Sequence, residues 1–278
     1  MKFKNMIYPV KSKVLFACLF SLLFHIGYGA TKDQIPAQRT GLSKSNYTVY
    51  HPSLLTDTLP RSKDKKEKEH HWEVLFDGTN TDKWRGLNSD SFPSEAWAIE
   101  RNMLFVNNHT KSQDIITREK YRSFELVFDF KLTYAANSGI KYFVNRIKNN
   151  RTGNIGWNGP EYQIIDDYNN PAVKDHQHDI GSTAAFYLIY APQNKHLLPA
   201  GQWNHGKIIA EGTHVEHWLN GVKVVSCERG TNDYRKRIST TKFKDYDNYG
   251  EASSGHIMLT DHDGDKVYYR NIKIKRLD

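Results

Sequence analysis

Residues 124–132 read FELVFDFKL. Phe124, Leu126, Phe128, Phe130 and Leu132 recur at every second position, with Glu125, Asp129 and Lys131 between them. Successive side chains of a strand point to opposite faces, so this alternation predicts a half-buried antiparallel strand. Downstream, GKIIAEGTHVEHWLNGVKVVS (206–226) reads as two strands joined at Asn220-Gly221, the dipeptide best suited to a two-residue hairpin turn. AAFYLIYAP (184–192), GHIMLTD (255–261) and VYYRNIKIKRL (267–277) are further strand candidates. There is no long amphipathic helical pattern and no internal repeat. Many short strands between Gly, Asn and Asp turns predict an all-β sandwich or jelly roll.

The N-terminal part has a different character. Lys2, Lys4, Lys11 and Lys13 precede the apolar run VLFACLFSLLFHI (14–26) and then GYGA (27–30). A basic start, a short apolar run and small residues predict a secretory signal over residues 1–29, cut after Gly29 or one residue later. The run is short for a membrane span and no stop-transfer pattern follows. Lipid attachment at Cys18 fits poorly, because Phe16 is bulky and most of the apolar run follows the cysteine. An exported protein is expected, periplasmic or secreted, with no stable membrane insertion. Residues 30–70, ending in the charge run RSKDKKEKEH (61–70), have no apolar period and read as a flexible linker. The folded domain is expected over residues 71–278. It retains one cysteine, Cys227, so its core must stabilise it without an internal disulfide.

The net charge is +8, of which the leader carries +4, the linker +3 and the domain only +1. A nucleic-acid binder concentrates positive charge on its folded part, so that class is not expected.

GPEYQIIDD (159–167) raises the functional question. As a strand it places Glu161, Gln163 and Ile165 on one face and Tyr162, Ile164 and Asp166 on the other. Charged and amide side chains on an internal strand suit the wall of a groove that reads sugar hydroxyls. The six Trp and sixteen Tyr suit sugar stacking too, but equally suit a sandwich core.

WEVLFDGTNTDKW (72–84), FELVFDFKLTYAANSGIKYFVNR (124–146), GPEYQIIDD, LPAGQWNHGKIIAEGTHVEHWLNGVKVV (198–225), TKF (241–243) and GHIMLTDHDGDKVYYRNIKIKRL (255–277) follow in order. Together they resemble the bacterial 3-keto-disaccharide hydrolase family over residues 72–278. The resemblance implies a concanavalin-like jelly roll acting on glycosides already oxidised at C3, by hydrolysis or by elimination and hydration. It implies a small-molecule or oligosaccharide substrate and a separate sugar 3-oxidoreductase in the same pathway, since no dinucleotide-binding Gly-rich loop is present. One departure stands out: the family's LQDHG is here LTDHDG, altered at Thr260 and Asp263 and keeping Asp261 and His262.

A C3 ketone acidifies the C2 hydrogen, and the enolate left by its removal expels the C1 substituent. Such a site needs a base, a proton donor and positive charge at the enolate oxygen. Glu161 and His262 are the catalytic candidates; Asn137, Lys141, Arg146, Gln163 and Asp261 are the substrate-binding candidates. Asn137-Ser138-Gly139 is expected in a turn, and Arg270, in phase with Ile272 and Ile274, in a buried ion pair. A Glu161–Asp166 carboxylate pair is disfavoured, because the two lie an odd number apart on one strand. The metal requirement is open. His176 and His178, flanked by Asp175 and Asp179, form one sparse ligand set, and Asp261, Asp263 and Asp265 a partial calcium loop; a divalent ion is an alternative electrophile for the enolate. A non-catalytic carbohydrate-binding module is the alternative to the enzyme.

Overall fold

The computed structural model describes residues 71–107, 113–262 and 265–278. The expected leader and linker lie outside the described residues, as does Asp263. In chain order the elements are β1 (Trp72–Phe76), β2 (Trp84–Gly86), β3 (Trp97–Glu100), β4 (Met103–Val106), β5 (Ile115–Thr117), β6 (Phe124–Leu132), β7 (Asn137–Lys148), β8 (Ile155–Asn158), β9 (Glu161–Ile165), β10 (Trp203–Glu211), β11 (His214–Leu219), β12 (Val222–Glu228), α1 (Asn232–Ile238), β13 (His256–Leu259) and β14 (Val267–Arg276). The larger sheet runs β12-β11-β10-β6-β14-β4-β3, with β1 also on β14. The smaller runs β2-β5-β13-β7-β8, with β9 also on β7. The fold is the all-β sandwich that the alternation predicts, in the concanavalin-like jelly-roll form that the family resemblance implies. Among the described residues no helix is long and apolar enough to cross a membrane.

In β6 the five alternating apolar side chains are all buried, and the residues between them are half-buried. The core lies between the sheets: Phe128 from β6 meets Tyr162 from β9 edge-on, with centroids 5.3 Å apart. Opposite Phe128 on β10 sits Gly206, where an added Cβ would run into the Phe128 ring. A glycine normally weakens a central strand; here it admits an aromatic ring.

Three expectations change. Residues 203–228 hold three strands instead of two, because β10 and β11 join through a turn at Gly212 (φ +59°). The Asn220-Gly221 turn stands as expected, both residues at positive φ. Residues 184–192 form turns, with Ala184 (φ 66°) and Leu188 (φ 62°) breaking the extended run. This segment still covers the free edge of β9: Ala184 N–H donates to Gln163 O at 2.8 Å and Tyr187 N–H to Glu161 O at 3.0 Å. Finally, a bulge at Asn271 (φ 54°) reverses the phase of β14. Arg270 therefore faces outward, paired with Asp129 at 3.1 Å and stacked over Trp203 at 4.0 Å.

His217 on β11 is wholly buried among the rings of Tyr142, Tyr162 and Phe186. Its Nδ1 lies 3.1 Å from Ala184 O and its Nε2 2.9 Å from the Tyr142 hydroxyl. A carbonyl only accepts, so Nδ1 carries the proton and Nε2 accepts from the phenol. Burial pulls this imidazole down to about 4. The unfolded chain, with an ordinary histidine, therefore binds one more proton between about pH 6.5 and 4. The resulting stability is fully present above about pH 6.5, and about 3 kcal/mol of it is lost as pH falls toward 4. Urea unfolding at several pH values should show this slope, and His217→Gln should flatten it.

Candidate active site

Four strands of the smaller sheet build one polar face. Lys141 on β7 pairs with Glu161 on β9, and Gly139 with Gln163. On the other side Lys141 pairs with Met258 on β13, which pairs with Ile116 on β5. Because every second residue shares a face, this register aligns Asn137, Gly139 and Lys141 with Glu161 and Gln163, with Met258, Thr260 and His262, and with Asp114 and Ile116. Asp114, Asn137, Lys141, Glu161, Gln163, Thr260, Asp261 and His262 line a cavity of about 220 Å³, and Tyr187 and Lys242 complete its wall. The opposite face of β9 sends Tyr162 and Ile164 into the core.

Gly139 shapes the floor. A Cβ there would collide with the Glu161 carboxyl, reaching its Cδ at 2.9 Å. The missing side chain is the space into which that carboxyl folds. Burial raises the Glu161 carboxyl above its ordinary value, and the charges of Lys141, Lys242 and His262 draw it part of the way back. The Asp114 carboxyl is also raised by burial, against the Asp261 N–H that Oδ1 accepts at 2.9 Å and the charge of Lys141. Two carboxyls of heightened basicity thus share a small cavity with two ammonium groups and an imidazole.

Six of the seven residues expected at the site lie around this cavity. Glu161, Lys141, Gln163 and Asn137 come from paired strands; His262 and Asp261 come from the segment after β13. Asp261 turns Oδ2 onto the Gln113 N–H at 2.9 Å, so it fastens β5's entry to β13's exit. Asn137-Ser138-Gly139 is strand, not turn: Ser138 Oγ donates to Thr260 O at 2.6 Å and Thr260 N–H to Gly139 O at 3.0 Å. Arg146, expected among the substrate contacts, is the exception. A bulge at Phe143 (φ 51°) keeps Lys141 and Val144, three apart, opposite Met258 and His256. Arg146 follows on that face but lies beyond the cavity, exposed, paired with Trp157 of β8. Asp166, past the end of β9, is buried and accepts the Ala135 N–H at 2.9 Å, closing a turn away from the cavity.

Among the described residues, no group of three or more His, Cys, Asp and Glu side chains is placed to hold a metal ion. His176 pairs with Asp179 at 3.2 Å, and Asp265 accepts the Asn137 N–H at 2.9 Å. Sequence reasoning missed Asp114, Tyr187 and Lys242. Lys242 stood inside the quoted TKF; its Nζ lies 3.5 Å from the Tyr187 hydroxyl.

Comparison with known proteins agrees with this architecture. A Bacteroides thetaiotaomicron protein named 3-keto-disaccharide hydrolase is 29% identical over 229 residues, spanning 74% of this chain and 78% of the relative. A Parabacteroides distasonis crystal structure, described provisionally as a glycosyl hydrolase, superposes with a TM-score of 0.64 at 32% identity, covering 74% of this chain and 94% of that one. A second from the same organism, described in the same way, gives a TM-score of 0.56 at 25% identity, over 74% of this chain and all of the other. The model of the 3-keto-alpha-glucoside-1,2-lyase-like domain matches residues 71–275. Through nearly the whole of its folded part, this chain belongs to that family.

Proposed function

We propose that this protein is an exported carbohydrate-active enzyme that cleaves glycosides oxidised at C3 of the sugar. The observation that carries the reading is Glu161: a carboxyl raised by burial, opposite Lys141 across a strand pair, on the one polar face of the smaller sheet. Raised basicity suits Glu161 to take the C2 proton. Lys141 and Lys242 supply positive charge for the enolate oxygen. Gln163 and Asn137 are placed to read hydroxyls, and His262 to pass a proton at the open rim. Expulsion of the C1 substituent gives an unsaturated keto sugar, and addition of water completes the hydrolysis. The substrate requires prior oxidation by a separate sugar 3-oxidoreductase. A leader over residues 1–29 would deliver the enzyme to the periplasm or beyond.

The test is incubation of a 3-keto-glucoside and its unoxidised parent in heavy water, with the products read by NMR. The expected result is release of the aglycone from the keto substrate alone, with deuterium at C2 of the sugar. Cleavage of the parent would instead assign Asp114 and Glu161 to ordinary two-carboxylate glycosidase chemistry. Saturable binding with no product would mark a sugar-binding module.

A further inference from the structure

A second cavity, of about 420 Å³, adjoins the first. Its wall joins Leu87, Phe92 and Pro93 to Asn88, Ser89 and Ser91, and most of the surface it exposes is apolar, where that of the first is mostly polar. Asp114 belongs to both walls. Its Oδ1 is fixed by the Asp261 N–H, and among the described residues its Oδ2 has no hydrogen-bond partner. A small polar chamber suits one oxidised hexose ring; a larger chamber beyond it, with a mostly apolar surface and a few hydroxyl and amide groups, suits an aromatic ring better than a second sugar. A bond that joins groups in the two cavities would pass beside Asp114, the residue their walls share.

We propose that the larger cavity holds the leaving group of the same substrate, an aromatic alcohol, and that Asp114 gives its proton to the departing oxygen. This rests on the reading of the polar cavity as the keto-sugar site. Glu161 takes the C2 proton, and that electron pair forms the enolate. The enolate restores the C3 carbonyl, forms C1=C2 and breaks the bond from C1 to oxygen. The oxygen leaves with the bonding pair and takes the Asp114 proton, giving a neutral alcohol and an aspartate. Water then adds at C1, its proton passing to Asp114, while Glu161 returns a proton to C2, so both groups are reset. The raised affinity of the half-buried Asp114 carboxyl for its proton supports the donor role.

Methyl and benzyl 3-keto-glucosides release alcohols of nearly equal acidity and differ in apolar bulk. The benzyl substrate should have the higher kcat/KM, by about tenfold or more if the ring is buried. Gly86→Leu fills the cavity without backbone strain, since an added Cβ meets nothing nearer than 3.6 Å. It should draw the benzyl-to-methyl ratio toward one, a readout that loss of folded enzyme does not move. Equal kcat/KM values in the wild type, or an unchanged ratio in the variant, would overturn the subsite. A 3-keto disaccharide outpacing the benzyl substrate would overturn the aromatic leaving group. Asp114→Asn should lose about a hundredfold on the benzyl substrate and far less on the p-nitrophenyl one, whose anion leaves without a proton; equal losses would remove Asp114 from that step. If no substrate turns over, the function reading fails, and calorimetric titration with the methyl and benzyl compounds still decides the subsite. Tighter benzyl binding that Gly86→Leu abolishes supports it; equal affinities refute it.

Discussion

Glu161→Gln should lower kcat on a 3-keto-glucoside by about a thousandfold, the scale of a lost general base, while the protein melts no lower than wild type. The amide fills nearly the same volume over Gly139, so no cavity opens. It also removes a charge that burial penalises, so stability should hold or rise slightly. The pH dependence follows in sign. A base must be ionised to act, so wild-type kcat/KM should climb with pH through the raised Glu161 value, and on leaving groups that need a proton it should fall again as the raised Asp114 carboxyl ionises. The variant should lose that acid limb. Kinetics across pH and a thermal melt on both proteins measure this together; a stable variant of undiminished activity would exclude Glu161 from the chemistry.

The largest expected effect on stability lies away from the cavity. Lys195 Nζ meets Asp167 Oδ2 at 2.6 Å, with side chains 3% and 2% exposed. Burial raises the Asp167 carboxyl and lowers the Lys195 ammonium; the contact between them opposes both shifts. Around them Asp167 Oδ1 accepts the Thr183 N–H at 2.8 Å, and Lys195 donates to Ser182 Oγ at 2.7 Å and Thr183 O at 3.1 Å. Lys195→Met strands a buried carboxylate and should cost about 3–5 kcal/mol. In a domain of this size that lowers Tm by about 10 °C. Adding Asp167→Asn removes the stranded charge and should recover part of the loss. Calorimetry on the two variants separates the cost of an unpaired charge from that of lost packing; equal melting of wild type and Lys195→Met would contradict it. Thr183 also braces β9, its Oγ1 accepting the Ile165 N–H at 2.8 Å. Loosening this corner should therefore weaken substrate binding before the chain unfolds.

The sandwich was legible because β6 states its burial pattern in alternation, and alternation is local. The faces of β9 were legible for the same reason: Glu161 and Gln163 against Tyr162 and Ile164. Asp114 was not legible, because its place depends on which strand lies beside β5. Nothing in SQDIIT specifies that Ile116 faces Met258 and so brings Asp114 level with Thr260. Arg270 was misread because Asn271, at positive φ inside β14, shifts the count of that strand. Arg146 was misread for another reason: the bulge at Phe143 leaves it on the cavity face, but β7 carries it past the cavity to pair with β8. The turns at 184–192 escaped because two apolar residues there, Ala184 and Leu188, take left-handed backbone conformations that favour glycine.

The reciprocal bonds between Asp261 and the Gln113–Asp114 segment join positions about 150 residues apart along the chain. Glu161 lies between them in sequence, held by strands that themselves pair non-locally. Residues 114–161 carry Asp114, Lys141 and Glu161, but Lys242, Asp261 and His262 come from far beyond them, so no short contiguous fragment contains the whole cavity. Contact order this high makes productive assembly slow, since distant pairings must close before they are rewarded. The complete cavity is therefore acquired late and all at once, when the C-terminal strands dock, and a partly synthesised chain does not carry it.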